Sequence, residues 1–427
     1  MMDEDDFKYS DWRCLPDSVT KIAPCKKTDN YAVKFDTAEN IALSLYDFSK
    51  AYFQSANIIA SRMIDKKQID ELDKYVFPLF FLYRHSLELL LKSIGFSFII
   101  DNFQRQLFLK ETFHNLRTIY EYILKYTTCS RNAEEQQWLL TYFSNIEKSD
   151  SESDSFRYPF HIIVNYSERR ERVFNIKRVF QKQTHLDLIS EVNKFEAAHE
   201  ILTAWYLDIH NPTIPHHAYD YAECQSTFLD EGGYYYAQSV VGYEYTHNDF
   251  HAYCSGYKEC ASCLLNYLKT LYDAKADMDY SHMWYPMCYL YRNTIELLLK
   301  SIIFEYSHQT FQTRCAVSSN NKHKLHQLLN NAQEFAFNYY EIEEKDDYIK
   351  NMIRYCELLH NFDSDSSKFR YPISKNGKPY LSRSLYYNFA SMGNFLKALA
   401  SSIDGIRGVI DDRKDAIETM RAEYSEY

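Results

Sequence analysis

The strongest constraint on this chain is a sequence that it contains twice. Pro78-Leu-Phe-Phe-Leu-Tyr-Arg-His-Ser-Leu-Glu-Leu-Leu-Leu-Lys-Ser-Ile94 returns as Pro286-Met-Cys-Tyr-Leu-Tyr-Arg-Asn-Thr-Ile-Glu-Leu-Leu-Leu-Lys-Ser-Ile302, with 11 of 17 positions identical. Downstream, Asp150-Ser-Glu-Ser-Asp-Ser-Phe-Arg-Tyr-Pro159 returns as Asp363-Ser-Asp-Ser-Ser-Lys-Phe-Arg-Tyr-Pro372. Between them, His114-Asn115-Leu116 answers His323-Lys324-Leu325, and the three offsets are 208, 209 and 213. Ordered matches at nearly constant offset read as an internal duplication. Any fold proposed for one half must therefore serve the other.

The 427 residues contain only nine Gly and nine Pro, too few for the turns of a many-stranded sheet protein, so long helices are expected. Apolar residues recur at spacings of three and four from Leu45 to Met63, one helix face. The stretch around Arg84 is apolar on nearly all sides and should run through the middle of its half. Further helices are expected over 105–126, 134–147 and about 178–207, and over 323–340, 346–361 and 384–404. The Asp/Ser runs at 149–155 and 363–367 read as loops. The resulting division is an N-terminal extension (1–38), a first helical domain (39–208), a linker (209–246), a second helical domain (247–404) and a charged tail (405–427). Within the linker, Thr227 to Tyr245 is β-prone, and Asp230-Glu231-Gly232-Gly233 suits the turn of a small hairpin.

The formal charge of −11 argues against a uniformly basic, indiscriminate nucleic-acid binder and leaves room for a local basic site. Ten irregularly spaced Cys follow an acidic N-terminus with no apolar leader, so free thiols and a cytoplasmic location are expected. Arg84, His85, Glu88 and Lys92 interrupt the most apolar stretch and exclude a membrane span there.

Those interruptions are the main chemical signal. Arg84, Glu88 and Lys92 stand at i, i+4 and i+8, as do Arg292, Glu296 and Lys300, each set forming a slanting polar stripe. Buried charge needs a partner or a cleft. Arg157 and Arg370 are natural partners for Glu88 and Glu296, which would make the stripes an internal brace. Alternatively, Arg and Lys hold a phosphate while His114 or His323 moves a proton.

In order and in type these residues resemble the HEPN superfamily: a helix carrying Glu and then Lys, a His-polar-Leu helix start, and an Arg-Tyr-Pro segment. The resemblance implies an all-α protein of two tandem HEPN-like bundles that pair as an internal pseudo-dimer. It also implies a prokaryotic defence or toxin-type protein that recognises RNA or a nucleotide, with a companion defence or antitoxin protein, and room for a further homodimer. Many HEPN proteins are metal-independent endoribonucleases with an Arg-x4–6-His signature, matched here by Arg354 and His360. The corresponding first-half positions are Thr141 and Glu147, so the paired site would be half missing. Other HEPN domains cut nothing and serve as scaffolds that bind a partner protein. No cofactor or metal is expected. His247, His251 and Cys254 share a helix face, but Cys260 and Cys263 point away from it. His216 and His217 sit beside Pro215 in the linker and read as solvent-exposed.

Overall fold

The computed structural model describes residues 22–35, 37–127, 132–211, 221–242, 250–275, 281–342 and 347–425. In chain order its elements are β1 (Ala32–Phe35), α1 (Ile41–Lys66), α2 (Ile69–Phe98), α3 (Asn102–Thr112), α4 (Leu116–Leu124), α5 (Ala133–Asp150), β2 (Phe160–Tyr166), β3 (Arg172–Arg178), β4 (Thr184–Asp187) and α6 (Leu188–His210). There follow β5 (Gln238–Val241), α7 (His251–Asp273), α8 (Trp284–Glu305), α9 (Phe311–Asn321), α10 (Leu325–Ala332), α11 (Asp347–Phe362), β6 (Leu385–Asn388) and α12 (Phe389–Ser425). The chain is mostly helical. Its strands form three antiparallel two-stranded sheets, β1 with β6, β2 with β3 and β4 with β5.

Local chemistry sets the helix starts. Asn40, Asp101, Asn115, Asn132, Asp187 and Thr310 each accept a backbone N–H from the first turn of the helix they precede. The two repeated helices are central, as their all-round apolarity requires: every residue from Tyr75 to Phe96 and from Trp284 to Ile303 is buried. The helical stretch expected over 105–126 breaks just before His114, where Phe113 (φ 44°) turns the backbone, and the one expected over 323–340 starts at Leu325, after a like turn at Lys322 (φ 29°).

Three expectations are corrected. The helix expected over 178–207 starts only at Leu188, because residues 160–178 form the β2–β3 hairpin and 184–187 form β4. The linker contains no hairpin among its described residues: β5 pairs instead with β4, in register Thr184↔Val241 to Asp187↔Gln238. The last helix, expected over 384–404, starts at Phe389 and runs on through Ser425. Residues 212–220, which include His216 and His217, lie outside the described residues, as do 243–249 with His247.

The two sheets nearest the core exchange strands between the halves. β1 precedes the first half and pairs with β6, which leads into the last helix of the second; β5 precedes the second half and pairs with β4, which leads into the last helix of the first. The same exchange runs through the core. Tyr52 on α1 donates to the Phe369 carbonyl (3.0 Å), and Tyr257 on α7 donates to the Phe156 carbonyl (3.0 Å). Phe81 and Tyr289, equivalent residues of α2 and α8, stack on one another at 4.7 Å.

Pro78 lies inside α2 and cannot donate to the Lys74 carbonyl one turn earlier. Gly256 of α7 packs against that carbonyl, and a Cβ at Gly256 would sit 2.2 Å from the Lys74 oxygen. The obstacle is backbone, so the helices would have to separate. Gly256→Ala is expected to destabilise the protein by about 1–3 kcal/mol, read as a lowered midpoint in chemical denaturation.

Candidate functional site

Glu88 lies at the centre of α2 with no exposed surface, and three partners converge on its Oε1: Lys92 Nζ at 2.7 Å, His114 Nδ1 at 2.9 Å and the Tyr371 hydroxyl at 2.7 Å. Arg84 donates to Oε2 at 3.0 Å. Glu296 on α8 repeats the set. Its Oε1 accepts from Lys300 (2.8 Å) and Tyr158 (2.7 Å) and lies 3.1 Å from His323 Nδ1, and Arg292 donates to Oε2 at 3.2 Å. Each tyrosine comes from the opposite half. The carboxylates are thus solvated by cations of their own helix and capped by a hydroxyl from across the molecule.

The repeated His are held at both ends. Arg84 donates to the His114 carbonyl (2.5 Å) and Arg292 to the His323 carbonyl (2.6 Å), which fixes the backbone just before α4 and α10. The side chains are fixed by Nδ1 against the carboxylates. With Nδ1–H donating, Nε2 carries the lone pair, and neither Nε2 has a hydrogen-bond partner among the described residues.

The Arg-Tyr-Pro segments are built alike. Asp150 Oδ1 accepts the Ser155 N–H (2.9 Å) and Asp363 Oδ1 the N–H of the matching Lys368 (3.1 Å) as well as that of Ser367 (2.9 Å), closing each turn. Ser153 and Ser366 both take φ 61°, and each carbonyl receives an Arg Nε, from Arg157 at 2.6 Å and from Arg370 at 2.7 Å. Asp150 also reaches back to the stripe: its Oδ2 lies 2.9 Å from Arg84 Nε, an ion pair whose N–H does not point along the contact.

The expected pairing of Arg157 with Glu88 and of Arg370 with Glu296 does not occur. Arg84 and Lys92, one turn to either side, already neutralise the carboxylate, and the residue that crosses over is the neighbouring Tyr. Arg157 instead pairs with Asp154.

Burial by itself would raise the Glu88 and Glu296 carboxyls. Lys92 and His114, and likewise Lys300 and His323, outweigh it and hold both well below the usual carboxylate range. For the imidazoles burial dominates: His114 is lowered and His323 falls to about 4, against the partial opposition of their carboxylates. Both are neutral at pH 7.

These groups form the floor of an open cleft of about 1170 Å³ between the halves. Lys92, His114, Arg157 and Tyr158 line it, and so do Lys300, His323, Arg370 and Tyr371. The β2–β3 hairpin makes one wall, with Lys177 and Arg178; the shorter turn that carries Lys375 contributes to another. Ten Lys or Arg line the cleft against four Asp or Glu, in a chain of net charge −11. Positive charge is therefore concentrated here. Sequence reading found the floor but missed the hairpin wall, although its alternating Ile, Val and Phe around Ser167-Glu-Arg-Arg-Glu171 carry a strand signal.

Arg354 and His360 do not join this site. Both lie on α11, Arg354 is exposed, neither lines the cleft, and the His360 ring lies 6.3 Å from that of His326. Cys254 and Cys260 are buried on α7, and no group of His, Cys, Asp or Glu able to hold a metal occurs among the described residues. No described helix is long and apolar enough to cross a membrane. Comparison with family models, curated proteins and solved structures gave no match.

Two measurements follow. Glu88→Gln leaves Lys92 buried without its anion and Arg84 with Asp150 alone, and should cost about 3–5 kcal/mol, whereas Tyr371→Phe removes one hydroxyl donor and should cost about 1.5–3 kcal/mol, both by equilibrium unfolding. The folded pKa of His323 is depressed, so the unfolded chain binds more protons and stability falls with pH between about 6.5 and 4. The depressed carboxylates add a further loss as pH falls below their ordinary range. Melting temperature should therefore drop steadily from pH 7 to pH 4, and His323→Gln should flatten the upper part of that slope.

Proposed function

We propose that the chain is a tandem duplication of a HEPN-like helical unit, its two copies closed on one another as a pseudo-dimer, and that the cleft between them binds RNA or a nucleotide. The observation that carries this is the charge separation: a ten-to-four excess of cationic over anionic residues on one cleft of a protein with net charge −11. Phosphate binding needs such an excess locally and not over the whole surface. The cleft exceeds what a mononucleotide fills, and its basic residues lie on separated walls, which suits a short single strand. The crossed tyrosines and exchanged strands support the pseudo-dimer, because equivalent groups make equivalent contacts in both directions.

Binding comes before cleavage in this proposal. His114 and His323 are two positioned bases, and the site offers no comparably placed acid: an imidazole titrating near 4 has given up its proton at pH 7. A metal-independent endoribonuclease would use one of them to take the 2′-hydroxyl proton, while Arg and Lys hold the phosphate. A scaffold that binds RNA, or a partner protein, without cutting is the alternative outcome.

A labelled single-stranded oligoribonucleotide, followed by fluorescence anisotropy, tests the binding. Three neutralised phosphates would give a slope of log affinity against log salt of about −2. Lys177→Glu and Lys375→Glu are exposed substitutions on two separate segments of the cleft lining, and each should weaken binding about fivefold to tenfold with no change in melting temperature. Unchanged affinity in both would remove the cleft from consideration. Cleavage in EDTA, if observed, should be lost in His114→Ala or His323→Ala and kept in Arg354→Ala and His360→Ala.

A further inference from the structure

The two ends of the cleft are not equivalent. The segments that carry Arg157 and Arg370 are repeats, yet Asp154 of the first is replaced by Ser367 in the second. Arg157 is closed off by its own segment. Its Nε donates to the Ser153 carbonyl, its second nitrogen to the Asp154 carboxylate, and the guanidinium also bonds the Tyr289 hydroxyl. The remaining nitrogen is sealed from solvent.

Arg370 keeps only the first of these contacts, Nε to the Ser366 carbonyl at 2.7 Å. Among the described residues no carboxylate lies within ion-pairing distance of it. Its side chain is 5% exposed, lies 5.6 Å from the Tyr289 ring and 5.4 Å from the Tyr371 ring, and lines the cleft. Arg157 acts on it as a like charge. The ring faces offset part of the cost of taking a guanidinium out of water, and a counter-ion is what the surroundings lack. Unlike Arg157, its two terminal nitrogens are not sealed, and they form the planar fork that matches a phosphate.

We propose that the cleft seats one phosphate group of its ligand, at Arg370 beside the Glu88–His114 pair, and that Asp154 closes the equivalent position beside Glu296–His323. The proposal deepens the assignment of the cleft to RNA or a nucleotide and rests on it. It makes the two His unequal. Tyr371, the next residue to Arg370, already bonds Glu88 and lies 3.1 Å from His114 Nδ1, so the phosphate arrives on the His114 side.

Four variants test it: Arg370→Gln, Arg157→Gln, Ser367→Asp and Asp154→Ser. Ser367→Asp is the informative one, since it keeps the guanidinium and supplies the carboxylate that Arg157 already has. Two readouts are used, affinity for a short single-stranded oligoribonucleotide, and the rise in melting temperature on replacing chloride by inorganic phosphate at equal ionic strength. Arg370→Gln and Ser367→Asp should weaken the oligoribonucleotide about tenfold or more and should lose the phosphate-specific rise. Asp154→Ser, which frees Arg157, should bind at least as tightly as the parent, and Arg157→Gln, which removes an already paired charge, should weaken binding clearly less than Arg370→Gln; both should keep the rise. Equal losses in Arg157→Gln and Arg370→Gln, or unchanged binding in Ser367→Asp, would overturn the single seat and leave the cleft an RNA site. A phosphate rise that needs Arg370 in a protein that takes no oligoribonucleotide would keep the seat and discard RNA. A parent protein that responds to neither overturns both.

Discussion

A carboxylate at the middle of a fully buried helix is the constraint on which the rest depends. Glu88 cannot be left alone in that environment, and neither can the Arg84 and Lys92 placed to neutralise it. Two cations on one helix still leave lone pairs to satisfy. The imidazole before α4 and a tyrosine from the other half complete the set, and Glu296 is completed in the same way. The network thereby settles three things together: where α4 and α10 begin, how the Arg-Tyr-Pro segments lie, and how the halves face each other. Its outer surface is the floor of the cleft. Groups that the fold needs for neutrality are the groups that a phosphate ligand would meet.

That double use explains why the site is both rigid and incomplete. Rigid, because every polar group of the floor has its geometry fixed by another: carbonyl by guanidinium, imidazole by carboxylate, carboxylate by hydroxyl. Incomplete, because the repeat is not perfect. His85 reaches the Arg370 carbonyl at 3.0 Å, whereas its counterpart Asn293 has no partner for its amide nitrogen. Asp154 answers Arg157, and Ser367 cannot answer Arg370. The second of these departures gives one side of the cleft a surplus of positive charge.

Much of this was legible in the sequence, and the rest was not for identifiable reasons. The repeated segments, the central helices and the residues of the floor follow from spacing and composition alone. The partner of Glu88 did not, because Arg-Glu-Lys at i, i+4 and i+8 satisfies itself within one helix, and charge matching pointed to Arg157 when the crossing group was the uncharged hydroxyl beside the other Arg. The β2–β3 hairpin was hidden by the comparison of matching segments: after the second Arg-Tyr-Pro the chain makes only a short turn, so the matched sequence carried no sign of a hairpin. β5 was legible as a strand but not in its pairing, which joins residues more than fifty positions apart. Arg354 and His360 illustrate the limit of a two-residue pattern: both fall on α11, and neither lines the cleft.

The exchange between halves also bears on how the protein is made. The chain emerges from its N-terminus, and the first half leaves the ribosome with all its helices but without the hydroxyl of Tyr371 on Glu88 and without β6 beside β1. Neither exists until Tyr371 and the strand Leu385–Asn388 have been synthesised. The first half must therefore wait, carrying a buried-type carboxylate and an open strand edge, until the second is nearly complete. The contacts that complete the Glu88 network and the β1 edge therefore form only once both parts of the chain are present.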